Sequence, residues 1–277
     1  MATKKVIQSF GALKELTDVR DYKLSVKIEK DYDFPEQFEY YMRPVKNQGQ
    51  VGSCVAHALA EVAEFYNWAQ DGIEEKLSVG FIYGNRRNSL SKSSGMYIRE
   101  ALSNLRKHGD VFYNDFKENK EVPEIISLFE SRFADLEEKA YPNRITKYFR
   151  ISTDEEIKYT LMNYGPVVFA MTWYSDIIVN DQGVITTKQD PIKSRGGHCM
   201  VIYGWNKDGW LIMNSWGTGW GKKGCAVLPY NIKKREVWGI SDKVSGDARN
   251  DVKKPKIPNW LAKIINWICN LFKKKGE

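Results

Sequence analysis

Four cysteines in 277 residues, no two of them in CxxC spacing, leave this sequence without a zinc-site pattern and without a disulfide framework. We therefore expect no metal, no cofactor, and folding in a reducing cytoplasm. Long apolar runs are scarce too. No stretch of about 18 apolar residues is present to cross a bilayer, and the first ten residues carry two lysines without the apolar segment of a signal peptide. Histidine is scarcer still, so a reaction that needs an imidazole must draw on His57, His108 or His198. Charge of one sign is missing from most of the chain. Of the net +7, +5 falls on residues 247–277 (eight Lys/Arg against three Asp/Glu), which leaves +2 for residues 1–246. A nearly neutral body argues against a nucleic-acid partner.

What is present is organised around residues 48–58, where a glycine-rich loop runs into a helix that starts at Cys54. Apolar residues at Val55, Ala58, Leu59, Val62, Ala63 and Tyr66 have helical spacing, so one face of that helix is expected to be buried. A thiol is a weak nucleophile until it ionises, and a helix N-terminus with a nearby imidazole supplies that stabilisation.

Residues 1–33 read as an N-terminal arm, either packed on the body or covering a cleft. Further helical patterns follow at 76–83, at 98–105 with Gly109 as a stop, within 114–140, and at 154–164. After Gly165 and Pro166 the character changes to apolar, β-rich runs at 167–172, 198–203, 210–213 and 225–228, separated by turn residues. Helices first and strands second imply an α+β protein of two lobes over 34–246. A linker (247–258) then leads to a basic amphipathic helix (259–277) with apolar residues at Trp260, Leu261, Ile264, Ile265, Ile268, Leu271 and Phe272. Such a helix suits a protein partner or a membrane surface, the latter making the protein peripheral to a membrane.

Among the histidines, His57 is close to Cys54 but fixed on the same helix, and His108 reads as a solvated helix end. His198, after two glycines at the start of a strand, is the expected base. Sixteen residues on, Asn214 has an amide oxygen able to orient an imidazole. A hairpin turning at 206–209 makes their contact feasible; a three-residue turn would put both on one face, about four residues apart in simple register.

Together, Gln48 six positions before Cys54, the Gly-Ser-Cys at 52–54, Gly197 with His198, and the Asn-Ser-Trp-Gly-Thr-Gly-Trp-Gly run at 214–221 resemble the papain-like cysteine proteases, and the compact bacterial members in particular. The resemblance extends from about Pro35 to Trp238. It implies a helical left lobe, a β-barrel-like right lobe and a cleft between them. It also implies a peptidase working through an acyl-enzyme on peptide or protein substrates. Cys54 would be the nucleophile, His198 the base, Asn214 its orienter shielded by Trp216, and Gln48 with the Cys54 amide the oxyanion hole. Gly95 and Met96 would pair with substrate backbone. Val167 and Cys199 would line the main specificity pocket, beside Gly197. Val51 and Val55 stand where many members have Cys and Trp. Two other classes fit Cys54 and His198 less well: a Cys-His amidase or transglutaminase, which does not need Gln48 at this offset, and a non-catalytic binding protein anchored by its C-terminal helix.

Overall fold

Helices precede strands, and the reason lies in how each segment is buried. A computed structural model describes residues 9–242 except 20, 25, 27, 30, 31, 43 and 87–93. The linker and terminal helix expected over 247–277 lie outside the described residues. After a short β1 (Phe38–Glu39) come α1 (Cys54–Asp71), α2 (Val79–Gly84), α3 (Ile98–His108) and α4 (Glu124–Ala140). Then follow β2 (Lys147–Ile151), α5 (Asp154–Asn163), β3 (Val167–Tyr174), β4 (Ile178–Val179), β5 (Ile185–Thr186), β6 (Ser194–Asn206), β7 (Gly209–Met213), β8 (Cys225–Leu228) and β9 (Lys234–Ser241).

Helix α1 differs from its sequence pattern. Every residue from Cys54 to Tyr66 is buried, so its first three turns are enclosed on all sides rather than on one face. Within this enclosed stretch Glu64 receives Lys46 Nζ at 2.7 and 2.8 Å and the Leu77 amide at 2.7 Å. Beyond Tyr66 the helix emerges and ends at Gly72, whose left-handed φ of 71° suits a C-cap without a Cβ. His108 is not the solvated helix end expected of it. It is buried where α3 meets α4, edge-on to Phe133 at 5.2 Å with Nδ1 3.4 Å from Glu137.

The strands form one antiparallel sheet in the order β2-β9-β3-β6-β7-β8, with β1 also on β6 and β4-β5 as a separate pair. The outer strands β2 and β8 do not pair with each other, so the right lobe is an open sheet rather than a closed barrel. Side-chain alternation divides its two faces. Val168, Ala170, Cys199 and Val201 face the helices, in one core with α1 to α4. Val167, Phe169, Met200 and Ile202 face away, into a second core with Trp173, Trp205, Trp210 and Trp216. Helix α1 packs against β6, and this brings the first residue of the helix next to the start of the strand.

Candidate active site

Cys54 opens α1, where the first amides have no partner within the helix and can serve an anion instead. Gln48, in the preceding loop, is fixed from its oxygen side. Ser215 Oγ donates to Gln48 Oε1 at 2.6 Å, and the Gln48 amide donates to Ser215 O at 2.8 Å. The carboxamide nitrogen is therefore the donor end, and it gives one hydrogen to Val51 O at 2.9 Å in the loop that leads to Cys54.

His198 and Asn214 meet through a detail of the sheet. The β6-β7 hairpin has a two-residue turn, with Asn206 opposite Gly209, and a register shift between Ile202 and Gly204. That bulge places Val201 opposite Met213, so Asn214 reaches diagonally to His198 on the same face. His198 Nε2 lies 2.7 Å from Asn214 Oδ1, which also accepts the Ser215 amide at 2.7 Å. Because the Ser215 N–H can only donate, that atom is the oxygen, and Nε2 carries the imidazole proton. Nδ1 then holds the lone pair, and it has no hydrogen-bond partner among the described residues. Trp216 stacks on the ring at 4.4 Å and 24°, with Trp173 edge-on at 5.4 Å, so water is excluded from the His198–Asn214 bond.

Residues 9–13 of the arm lie across this site. The Gly11 and Ala12 amides donate to Gly197 O at 3.1 and 2.9 Å on one bank. On the other, the Met96 amide donates to Gly11 O at 2.7 Å and the Leu13 amide to Met96 O at 3.0 Å. Ser9 Oγ takes the Gln48 Nε2 donor at 2.8 Å, so an arm oxygen occupies that donor. The Phe10 ring is edge-on to His198 at 6.1 Å and to Trp216 at 6.0 Å. Contact over Cys54 is tight: a Cβ on Gly11 would lie 1.8 Å from Gly52 O.

Under this cover Cys54 and His198 are both 0% exposed. Burial pushes the Cys54 thiol up to about 11, with backbone groups of Cys199, Gly11 and Val55 pulling the other way. Burial also lowers His198 to about 4, against the opposing bond to Asn214. At neutral pH the covered pair is thus thiol and neutral imidazole.

Of the expected site residues, Asn214 bonds His198, Trp216 stacks on it, Gln48 is tied to Ser215 next to Asn214, and Cys54 lies against the backbone of Cys199, the residue after His198. Gly197 and Met96 supply backbone to the cleft, and Gly95 is so close to Leu13 that a Cβ there would lie 2.6 Å from Leu13 Cδ2. Cys199 lies in the helix-facing core with Met96 and Ala12. Val167 does not join them. It points into the far core of the sheet, and Val168 and Ala170 occupy the helix-facing side in its place, because β3 alternates the opposite way. His57 is a packed residue whose Nδ1 is 3.0 Å from Ser53 O, and burial lowers it to about 4. The arm contacts Arg99, Arg150 and Arg235 carried no motif and were missed.

A helix-borne thiol beside the strand that carries an amide-oriented imidazole is the pairing on which thiol-dependent acyl transfer relies. The chain belongs to the papain family: the family model described as papain family cysteine protease matches residues 28–247. An uncharacterized peptidase C1-like protein of Acanthamoeba polyphaga mimivirus is 28% identical over 66% of the chain and 63% of its own length. A cysteine protease of Blomia tropicalis is 28% identical over 69% of the chain and 60% of its own length, so the match spans less than two thirds of both relatives. The crystal structure of xylellain, a cysteine protease from Xylella fastidiosa, superposes with a TM-score of 0.74 at 25% identity, over 88% of this chain and all of that one.

Proposed function

We propose that the chain is a cysteine endopeptidase held latent by its own N-terminal arm. In the reaction, His198 Nδ1 takes the Cys54 thiol proton and the thiolate attacks the scissile carbonyl carbon. The tetrahedral oxyanion is stabilised by Gln48 Nε2 and the Cys54 amide, donors fixed before the charge develops. As the C–N bond breaks, His198 returns the proton to the leaving amine, leaving a thioester on Cys54. Water, deprotonated by the same nitrogen, then attacks the thioester; the acid departs and the thiol is restored.

The observation that carries the endopeptidase reading is that the arm passes Cys54 with chain on both sides, Ser9 and Phe10 on one and Leu13 to Glu15 on the other. A cleft that holds chain on both sides of the nucleophile accepts internal segments. The same placement explains latency. The leaving amine must lie on the His198–Trp216 side, where Phe10 sits, and the acyl part on the Met96 side, where Leu13 sits. A substrate runs from the acyl side to the amine side, and the arm runs the opposite way. Its peptide bonds are presented backwards, and the nucleophile beneath it is un-ionised.

New N-termini in a proteome treated with the wild type and with Cys54→Ala test the function. Internal cleavages that require Cys54 are expected. Removal of terminal residues alone would refute endo-action, and identical patterns from the two proteins would refute the peptidase.

A further inference from the structure

The acyl-side half of the cleft carries an arginine on each bank. Arg99 stands in the first turn of α3, three residues after Met96. Arg235 lies in β9 beside Gly197, so close that a Cβ on that glycine would meet its Nη1 at 2.2 Å. The arm supplies carboxylates to this wall. Asp21 takes Arg99 Nε at 2.6 Å and Nη2 at 2.8 Å, while Glu15 takes the Arg99 amide at 3.1 Å. Arg150 divides itself between Asp21 at 3.3 Å and Glu236 at 3.7 Å.

The body's own charges do not balance without the arm. Among the described residues, Arg99, Arg150 and Arg235 face one body carboxylate, Glu236, which is buried and already accepts Trp238 Nε1 at 3.0 Å. The arm adds Glu15, Asp18 and Asp21. Arg235 is the least satisfied: Nη1 reaches Ala12 O at 3.4 Å, and buried Nε and Nη2 have no acceptor among the described residues. A wall that keeps guanidinium donors unfilled beside the substrate path, and fills the rest with carboxylates of its own chain, is built for carboxylates.

We propose that, once the arm is displaced, Arg99 and Arg235 bind acidic side chains on the acyl side of the scissile bond, which makes acidic segments the preferred substrates. The inference rests on the peptidase reading above. The arm is then a stand-in for substrate charge as well as for substrate backbone, and acidic substrates compete with it most effectively.

The test uses the full chain, as wild type and as Gly11→Val, whose added side chain cannot sit against Gly52 O. Fluorogenic peptides carry Glu, Gln or Lys at the second, third or fourth residue before the cleaved bond. At one or more of these positions kcat/KM for Glu is expected to exceed that for Gln by roughly 10-fold, with Lys poorer still, a ratio suited to a charge-assisted bond at a partly exposed site. Arg235→Gln or Arg99→Gln should bring the Glu/Gln ratio toward one, and the matching lysine variants should keep part of it. Equal rates for Glu and Gln at all three positions, or a preference that survives both glutamine variants, would overturn the proposal. Cys54-dependent cleavage without a Glu preference removes the acidic subsite and leaves the peptidase standing. No cleavage of any peptide, with no alkylation of Cys54 in Gly11→Val, removes both.

Discussion

The catalytic floor and the arm above it meet at Cys54 but are held by different forces. The floor is dry and over-determined: His198 is fixed by Asn214, walled by Trp216 and Trp173, and Gln48 is pinned by Ser215. The arm is anchored in two ways. Residues 9–13 use backbone bonds and the Phe10 ring, and residues 15–21 use partly buried ion pairs to Arg99 and Arg150. Buried, mutually oriented groups persist through changes of salt and pH that loosen partly exposed ion pairs. Activation therefore needs no rebuilding of the site. It needs only the arm to leave.

The largest expected effects come from breaking the floor. Asn214→Ala frees the imidazole to rotate and to exchange tautomers, and kcat is expected to fall by roughly 10²- to 10⁴-fold. Gln48→Ala removes one oxyanion donor, for a loss in kcat of roughly 10²- to 10³-fold. Steady-state kinetics in the Gly11→Val background measures both. A loss below about tenfold in Asn214→Ala would mean that Trp216 stacking alone orients His198.

Next in size is uncovering. Gly11→Val should raise the rate of Cys54 alkylation by iodoacetamide at mildly acidic pH by roughly 10- to 100-fold, because an open site can form the thiolate–imidazolium pair and a covered one cannot. Mass spectrometry of the Cys54 peptide gives the rate. Unchanged alkylation would show that the arm does not control ionisation.

The floor was legible in the sequence; the arm was legible as a segment packed on the body or covering a cleft, but its contacts were not, for physical reasons. Gln48, Cys54 and the 214–221 run mark themselves because a reaction needs those atoms at fixed offsets, and the resemblance tied them to His198. The hairpin made the His198–Asn214 contact feasible without determining it, since the contact depends on the bulge between Ile202 and Gly204, which leaves no residue signature. Val167 was misplaced because the resemblance carried the position over without the phase of β3, and a continuous apolar run on a strand buried on both faces offers no phase to correct it. β9 was missed because its leading Lys234, Arg235 and Glu236 hide a buried central strand behind charges, and those charges meet the arm. Arg99 and Asp21 are 78 residues apart, and no local pattern announces such a pair.

Smaller effects come from the clasp. Arg99→Gln should loosen the arm and raise the full-length protein's cleavage of the Gln peptide, which does not use the Arg99 charge, by roughly 2- to 10-fold, a range suited to a partly buried ion pair. Raising salt from about 0.05 to about 0.5 M should activate the wild type and do little to Arg99→Gln. Equal salt responses would show that the ion pairs do not hold the arm.

The smallest effect, and the most specific, is on pH. Burial raises Glu15 to about 7 in the docked arm, against the opposing pull of Arg99, and Glu236 and Asp21 add to the rise. A carboxylate raised by docking holds its proton more tightly docked than free. Docking is thus favoured below the ordinary value of 4.5 and loses that advantage as pH rises through about 7. Asp21 works in the other direction. Burial raises it, but the Arg99 hydrogen bond, the Asp18 amide and the charges of Arg99 and Arg150 outweigh that and hold it below 3.8. Its contribution is present above 3.8 and lost as pH falls through the lowered docked value. The clasp is therefore tightest near the ordinary carboxylate range, loosens as pH rises from 4.5 to about 7, and keeps none of the Glu15 advantage above that. Glu15→Gln keeps an acceptor for the Arg99 amide but has no charge to bury. Relative to wild type, its Cys54 alkylation should be similar at about pH 5.5 and slower by a few-fold at about pH 8. Taking the ratio at each pH cancels the ionisation of Cys54 itself. A ratio that stays flat across that range would show that Glu15 docks in one protonation state throughout, leaving Arg99 and Asp21 to hold the arm.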